Sequence, residues 1–184
     1  VPAVLSEVVA NSWDADAETI NIQIGQDKIV ITENGHGMTL EDINEKYLNV
    51  GYERRKKEPV RTPKHNRPVM GRKGIGKLSL FSVADTVEVH TVKAGLKNGF
   101  SMSTPKIEAQ IGDGRGTYYP DPLSNGEICC DADGTRIVLT DLKRRVAQAP
   151  EALKKRLARR FSIIGGEYKF EVSINGIPVK ITDR

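Results

Sequence analysis

Sulfur chemistry is nearly absent from this chain. The only two cysteines, Cys129 and Cys130, are adjacent, so they cannot build a disulfide framework and have no partner at metal-ligand spacing. They read as small residues on a strand. Aromatic residues are scarce at 5%. None interleaves with the basic clusters described below, which argues against base stacking on single-stranded nucleic acid. Long apolar runs are missing too, since Ile29-Val30-Ile31 and Ile137-Val138-Leu139 are far too short to cross a bilayer. The N-terminus has no basic segment followed by an apolar stretch, so a secretory signal is not indicated. A cytoplasmic protein without a membrane partner is expected. Because the chain begins Val1-Pro2 inside what already reads as a helix, it is expected to be a domain excised from the N-terminal part of a longer protein.

What is present is enough for one domain with a proper core, 1–184: 184 residues, 38% apolar and 28% charged. The formal charge of +4 is unevenly spread. Between Glu53 and Lys77 ten Lys or Arg face two acids, which suits an anion-facing loop or a nucleic-acid patch. A second cluster, Lys143 to Arg145 and Lys154 to Arg160, lies on a stretch whose Ala152, Leu153, Leu157 and Phe161 mark a buried helix stripe. A solvated helix face is the more ordinary explanation of that cluster.

Periodicity supplies the framework. Residues 3–15 read as a helix, and on its wheel Glu7, Asn11 and Asp14 stand at i, i+4 and i+7 on one polar face. Two alternating segments, 19–24 and 28–32, flank Gly25-Gln26-Asp27 and read as a hairpin. Thr39 with Asp42 three residues later has the form of a capping box and opens a helix over 40–48. Residues 51–73 carry Pro59, Pro63, Pro68 and dense charge without a period, so they read as a long loop, a length at which lids are common. A buried helix is expected over 76–84, then strands at 86–92, 99–104, 127–130 and 135–141 with a looser stretch over 107–119. A helix over 150–161 and a last hairpin, 168–174 with 179–182 turned by Asn175-Gly176, complete the chain. The order favours an α+β two-layer sandwich over a doubly wound parallel sheet.

Three polar motifs sit on this framework. Glu7-x-x-x-Asn11 offers a carboxylate to an attacking water and an amide oxygen to Mg²⁺, which accepts few protein ligands and keeps waters and phosphate oxygens. The same spacing also suits a plain polar helix face. Glu33-Asn34-Gly35-His36-Gly37-Met38 places a carboxylate at a strand end and two glycines where backbone passes close to a ligand, or simply turns. Gly71-Arg72-Lys73-Gly74-Ile75-Gly76-Lys77 leads into a helix whose free N–H groups attract phosphate. Its spacing is neither the dinucleotide fingerprint nor a P-loop.

Taken in order, and with Gly134-Thr135 before a later strand, these motifs resemble the GHKL ATPases: DNA gyrase B proteins, the ninety-kilodalton heat-shock chaperone, MutL and microrchidia proteins, and histidine kinases. Asn11-Ser12-Trp13-Asp14-Ala15 and 71–81 look closest to the heat-shock, MutL and microrchidia branch. The resemblance implies a Bergerat-type ATP-binding fold, a mixed and mostly antiparallel sheet with helices on one face and an ATP lid at about 51–76. It implies that Glu7 is the general base and that Asn11 ligates Mg²⁺. Asp14 would line the pocket, Glu33 would receive the adenine amino group, and Gly35, Gly37 and Met38 would flank the base. Gly71, Lys73, Gly74, Ile75, Gly76 and Lys77 would wrap the phosphates, and Thr135 would add a hydroxyl near the base. The family has Asp where this chain has Glu33, so the carboxylate reaches one methylene further and must fold back or shift the base.

The activity expected from the resemblance is Mg-dependent ATP binding and hydrolysis that closes a lid and switches a homodimer, with ATP and ADP as ligands. Slow turnover is expected of the chain alone, because several relatives take a further lysine from a following domain. DNA or a client protein would be reached through other domains. Two alternatives stand beside this reading: a nucleotide-binding switch with little or no hydrolysis, and a basic nucleic-acid-binding module.

Overall fold

The computed structural model describes residues 1–48, 59–70, 76–112, 118–143, 149–161 and 168–183. Helix α1, Pro2–Asp14, carries its proline in the first turn, where a missing N–H costs nothing. It buries Leu5, Val8, Val9 and Trp13. Strands β1, Thr19–Ile24, and β2, Lys28–Glu33, form the expected hairpin, with Gly25 N–H donating to Lys28 O at 3.0 Å. Further along come β3, Ala84–Lys93; β4, Leu96–Ser103; α2, Thr104–Gly112; β5, Asp121–Pro122; β6, Gly134–Leu142; α3, Ala149–Arg160; β7, Glu171–Ile174; and β8, Ile177–Pro178.

The strands form one sheet in the order β5-β4-β3-β6-β2-β1-β7-β8. Every pairing is antiparallel except β1 with β7. The inner face is a series of apolar cross-strand rows. Ile22, Ile31, Ile137, Val89 and Phe100 stand side by side on five strands, and Ile24, Ile29, Leu139, Val87 and Met102 form the next row. These residues join one core with Leu5, Val9 and Trp13 of α1 and with Leu153, Leu157 and Phe161 at α3. Asn21 and Gln23 of β1 alternate outward and are exposed. The α+β two-layer sandwich expected from the sequence is therefore the observed fold. Among the described residues no helix is long and apolar enough to cross a membrane.

Several local expectations change. The capping box forms, with Thr39 N–H donating to Asp42 Oδ2 at 3.1 Å and Asp42 N–H to Thr39 Oγ1 at 3.0 Å, yet the turns it opens, Asp42–Tyr47, are π-helical. Residues Gly76–Ser82 form a 3₁₀ helix, shorter than the expected helix over 76–84 because β3 already begins at Ala84. The loose stretch after β4 starts as α2. Residues 127–130 are not a strand, and Cys129 is exposed while Cys130 is buried beside Val92 and Ile128 in a small second core. Ala152 is exposed, and Ala158 takes its place in the α3 stripe. The last hairpin is short, turned at Asn175 and Gly176 with φ of 49° and 78°, and its first strand runs parallel to β1.

Candidate nucleotide site

One row of the inner face is polar. Beyond the row led by Ile22, the register places Ile20, Glu33, Thr135, Thr91 and Asn98 beside one another on β1, β2, β6, β3 and β4. Because side chains alternate along a strand, these residues point to the same face as the apolar rows two residues away. The polar atoms are wired together at the edge of the core. Thr91 Oγ1 accepts the Met38 N–H at 2.9 Å, donates to Gly134 O at 2.9 Å and lies 3.3 Å from Thr135 Oγ1. Asn98 Nδ2 reaches Met38 O at 3.4 Å.

Glu33 anchors the row and is only 8% exposed. Its Oε2 accepts the Gly35 N–H, so the longer side chain folds back into its own turn, and the Thr135 hydroxyl and N–H also donate to the carboxylate. Burial dominates its titration and pushes its pKa up to about 7, against the lowering from those three donors. The turn itself is tied to the end of α1. Asn34 Oδ1 accepts N–H groups of Glu18 and Thr19 at 2.8 Å each, and His36 N–H donates to Ala15 O at 3.0 Å.

The glycines of this motif serve the chain's own packing. Gly37 has φ of +62°, and a Cβ there would collide with Val92 O. A Cβ on Gly35 would lie 2.5 Å from Ala15 O and from Glu33 Oε2. The expected close passage is real, but the neighbours it requires are β3 and the α1–β1 connection.

The polar face of α1 separates into three different environments. Glu7 is 47% exposed and its Oε1 pairs with Arg160 Nη1 at 2.8 Å. Asn11 is exposed and its amide has no partner among the described residues. Asp14 is buried, and its Oδ1 accepts the Met70 N–H at 2.7 Å. Asp14 thus fixes backbone at the mouth of the Gly71–Gly76 segment.

That contact belongs to a strap, 59–70, which is bolted to the C-terminal end of α1. Arg67 is 0% exposed. Its guanidinium donates to Ala17 O at 2.6 Å and Tyr168 O at 2.7 Å, and lies 4.7 Å from the Trp13 ring centre. Trp13 Nε1 donates to Pro68 O at 2.8 Å, and Asp16 accepts the Lys64 and His65 N–H groups. The expected lid over 51–76 therefore includes a stretch held against the domain. Its basic count loses Arg67 to the interior, Lys64 to a pair with Glu18 at 2.8 Å and Arg61 to Asn66 O at 2.7 Å.

Of the residues expected at the site, Glu33, Gly35, Gly37, Met38 and Thr135 come together at one end of the sheet. Glu7, Asn11 and Asp14 lie along α1. Gly76 and Lys77 begin the 3₁₀ helix, while Gly71, Lys73, Gly74 and Ile75 fall outside the described residues. Sequence reasoning missed Thr91, Asn98, Asn34 and Arg67. A polar residue at an inward position of an otherwise apolar strand was the available signal for Thr91, between Val89 and the strand's end. Arg67 had no such signal, since it sits among nine other cations in the basic stretch.

As a metal test, no cluster of three or more His, Cys, Asp or Glu able to hold an ion occurs among the described residues. A lone unpartnered amide such as that of Asn11 fits Mg²⁺, which completes its shell with water and phosphate oxygens.

A buried carboxylate and hydroxyl at the end of an apolar sheet face, and on α1 a carboxylate and an amide without a partner among the described residues, suit a nucleotide-binding module of the α+β class. The family model for histidine kinase-, DNA gyrase B- and HSP90-like ATPases matches residues 1–125. The chain belongs to that family, and ATP binding comes with it. A putative type II restriction enzyme, HgiDII of Herpetosiphon aurantiacus, is 40% identical over 178 residues, 97% of this chain and 29% of that protein. Chaperone protein HtpG of Alkalilimnicola ehrlichii is 30% identical over 78% of this chain and 21% of its own length. HtpG of Halorhodospira halophila is 33% identical over 60% of this chain and 16% of its own. The chain spans less than a third of each of these relatives.

Proposed function

We propose that residues 1–184 act as one Mg-dependent ATP-hydrolysing domain whose nucleotide state closes a lid and switches the dimerisation of a larger protein. The observation that carries this reading is the polar row Glu33, Thr135 and Thr91 at the end of the core face, in a domain whose α1 packs into the same core and carries Glu7 and Asn11. In this reading Glu33 accepts the adenine amino group and Thr135 contributes its hydroxyl near the base. Gly35, Gly37 and Met38 form the wall against which the ring packs. Asn11 holds Mg²⁺, which when bound neutralises phosphate charge and orients the phosphates. Glu7 takes the proton of the attacking water, and the Gly71–Lys77 segment with Lys73 and Lys77 wraps the phosphates. Asp14 lines the pocket near the ligand, and its Oδ1 also holds the Met70 N–H ahead of this segment.

Calorimetric titration with ATP, ADP and GTP, with and without Mg²⁺, tests the reading. ATP binding strengthened by Mg²⁺ and weak GTP binding are expected; no heat with ATP at millimolar concentration would sink it. A nucleotide-binding switch with little hydrolysis is the second reading, favoured by Glu33 standing where the family has Asp, with its carboxylate folded back onto the Gly35 N–H. Ready multiple turnover by this chain would remove it. As to the larger protein, the match to the putative restriction enzyme over nearly the whole chain favours an assembly acting on DNA over one acting on client proteins. DNA contact is assigned to the remainder of that protein, so the isolated chain should show only weak, salt-sensitive DNA binding.

A further inference from the structure

The ion pair at the phosphate end is built from both helices and has a feature that an incidental surface pair lacks. Arg160 is held at three points: its Nη1 donates to Glu7 Oε1 at 2.8 Å and to Ser6 Oγ at 3.0 Å, and its guanidinium lies 5.5 Å from the Phe161 ring centre. Ser6 and Phe161 are fully buried, as are Leu153, Leu157 and Ala158 on the same side of α3. The arginine is therefore fixed by the core, and the partly exposed Glu7 is fixed by the arginine. Among the described residues only one carboxylate oxygen of Glu7 is engaged, which leaves Oε2 to accept from another donor. A free glutamate at this exposure would sample several rotamers, and a base that must meet a water within hydrogen-bond reach loses efficiency with each alternative.

We propose that Arg160 is a positioning residue for hydrolysis: it pins Glu7 Oε1 so that Oε2 is presented to the attacking water, and thereby couples the seating of α3 to turnover. The inference rests on Glu7 being the base. Arginine suits the task because its charge persists at every working pH and its guanidinium geometry is fixed. The device acts on kcat and leaves nucleotide binding alone, because Arg160 makes its contacts to α1 and the core.

The test is steady-state ATPase kinetics together with calorimetric ATP affinity, in the intact protein, for Arg160→Gln, Arg160→Lys, Glu7→Gln and the double variant Arg160→Gln/Glu7→Gln. Arg160→Gln should lower kcat about tenfold while ATP Kd stays within about twofold, and Arg160→Lys should recover part of the loss. In the Glu7→Gln background, Arg160→Gln should cause no further loss, since nothing remains to be positioned. Unchanged kcat in Arg160→Gln, a parallel loss of ATP affinity, or an equal further loss in the double variant would each overturn the proposal. Full turnover in Glu7→Gln would instead remove the assignment of Glu7 as base, and the positioning role with it.

Discussion

The two ends of the site are built in opposite ways. On the reading proposed above, the base end is preformed: Thr135 donates to the Glu33 carboxylate, Thr91 accepts the Met38 N–H, and Glu33 and Thr91 are buried. At the phosphate end Glu7 is half exposed, Asn11 has no partner among the described residues, and both side chains stand on a helix surface. A pocket that must recognise an uncharged ring gains by having its donors and acceptors fixed, since ordering them on binding would cost affinity. A site for highly charged, hydrated phosphates can take its ligands from solvent and assemble around the metal. On the proposed reading, recognition is built into the fold and chemistry is assembled on it.

The sharpest break of this comparison is at Glu7. Glu7→Gln keeps the helix, the size of the side chain and an acceptor for Arg160, and removes the base. ATPase turnover should fall by on the order of 10²–10⁴-fold, with ATP affinity within about twofold by calorimetry. If affinity collapsed as well, the two ends would not be separable.

Next in size is the protonation of Glu33. An unperturbed glutamate titrates near 4.5, and burial raises this one to about 7. Below pH 4.5 both folded and unfolded chains hold the proton. Between there and 7 the unfolded chain releases it while the folded chain keeps it, so stability falls as pH rises and levels above 7. The shift corresponds to a loss on the order of 3 kcal/mol across that window. Urea unfolding at pH 5 and pH 8 should show it, and Glu33→Gln should flatten the difference. An unchanged slope in that variant would mean that Glu33 is ionised in the folded protein throughout and that the base end is less dry than its burial implies.

The sequence announced the first and second motifs but not their physical roles. Alternation over 19–24 and 28–32 was enough for the central hairpin, because one buried face forces period two. It could not reveal that Glu33, Thr135, Thr91 and Asn98 fall on one row, since register across β2, β6, β3 and β4 joins residues as far apart in sequence as Glu33 and Thr135. The polar face of α1 was legible as a periodic set, yet its division into a paired Glu7, an open Asn11 and a buried Asp14 depends on α3 and the strap. The strap itself was unreadable. Arg67, the most buried cation among the described residues, looks in the sequence like its neighbours, and its contacts with the carbonyls of Ala17 and Tyr168 distinguish it.

Thr91→Val probes the base end with a smaller effect. Valine keeps the shape and the strand preference but leaves the Met38 N–H without its acceptor and Gly134 O without its donor. A buried group left unpaired costs about 1–3 kcal/mol, so the variant should unfold at lower urea with an unchanged slope. ATP affinity should fall several-fold as the Met38 wall loosens, while kcat at saturation stays near that of the parent. An equal loss in kcat would place Thr91 in contact with the phosphate end and weaken the division.

The finest distinction concerns the strap, whose basic composition suggested a phosphate-facing surface. Lys64 sits in its middle and pairs with Glu18 across an exposed surface, their side chains 62% and 37% accessible. Such a pair contributes little to stability, because water competes for both partners and salt screens them. Lys64→Ala should therefore leave the urea midpoint nearly where it was and leave ATP affinity unchanged at low and high salt. If instead it weakened ATP binding, and more at low salt, Lys64 would be reaching the phosphates. The strap would then have to leave its seat on α1, and the phosphate end would extend across a segment whose backbone Asp16 holds at Lys64 and His65. Those two backbone hydrogen bonds, with Trp13 on Pro68 and Asp14 on Met70, favour a strap that stays in place.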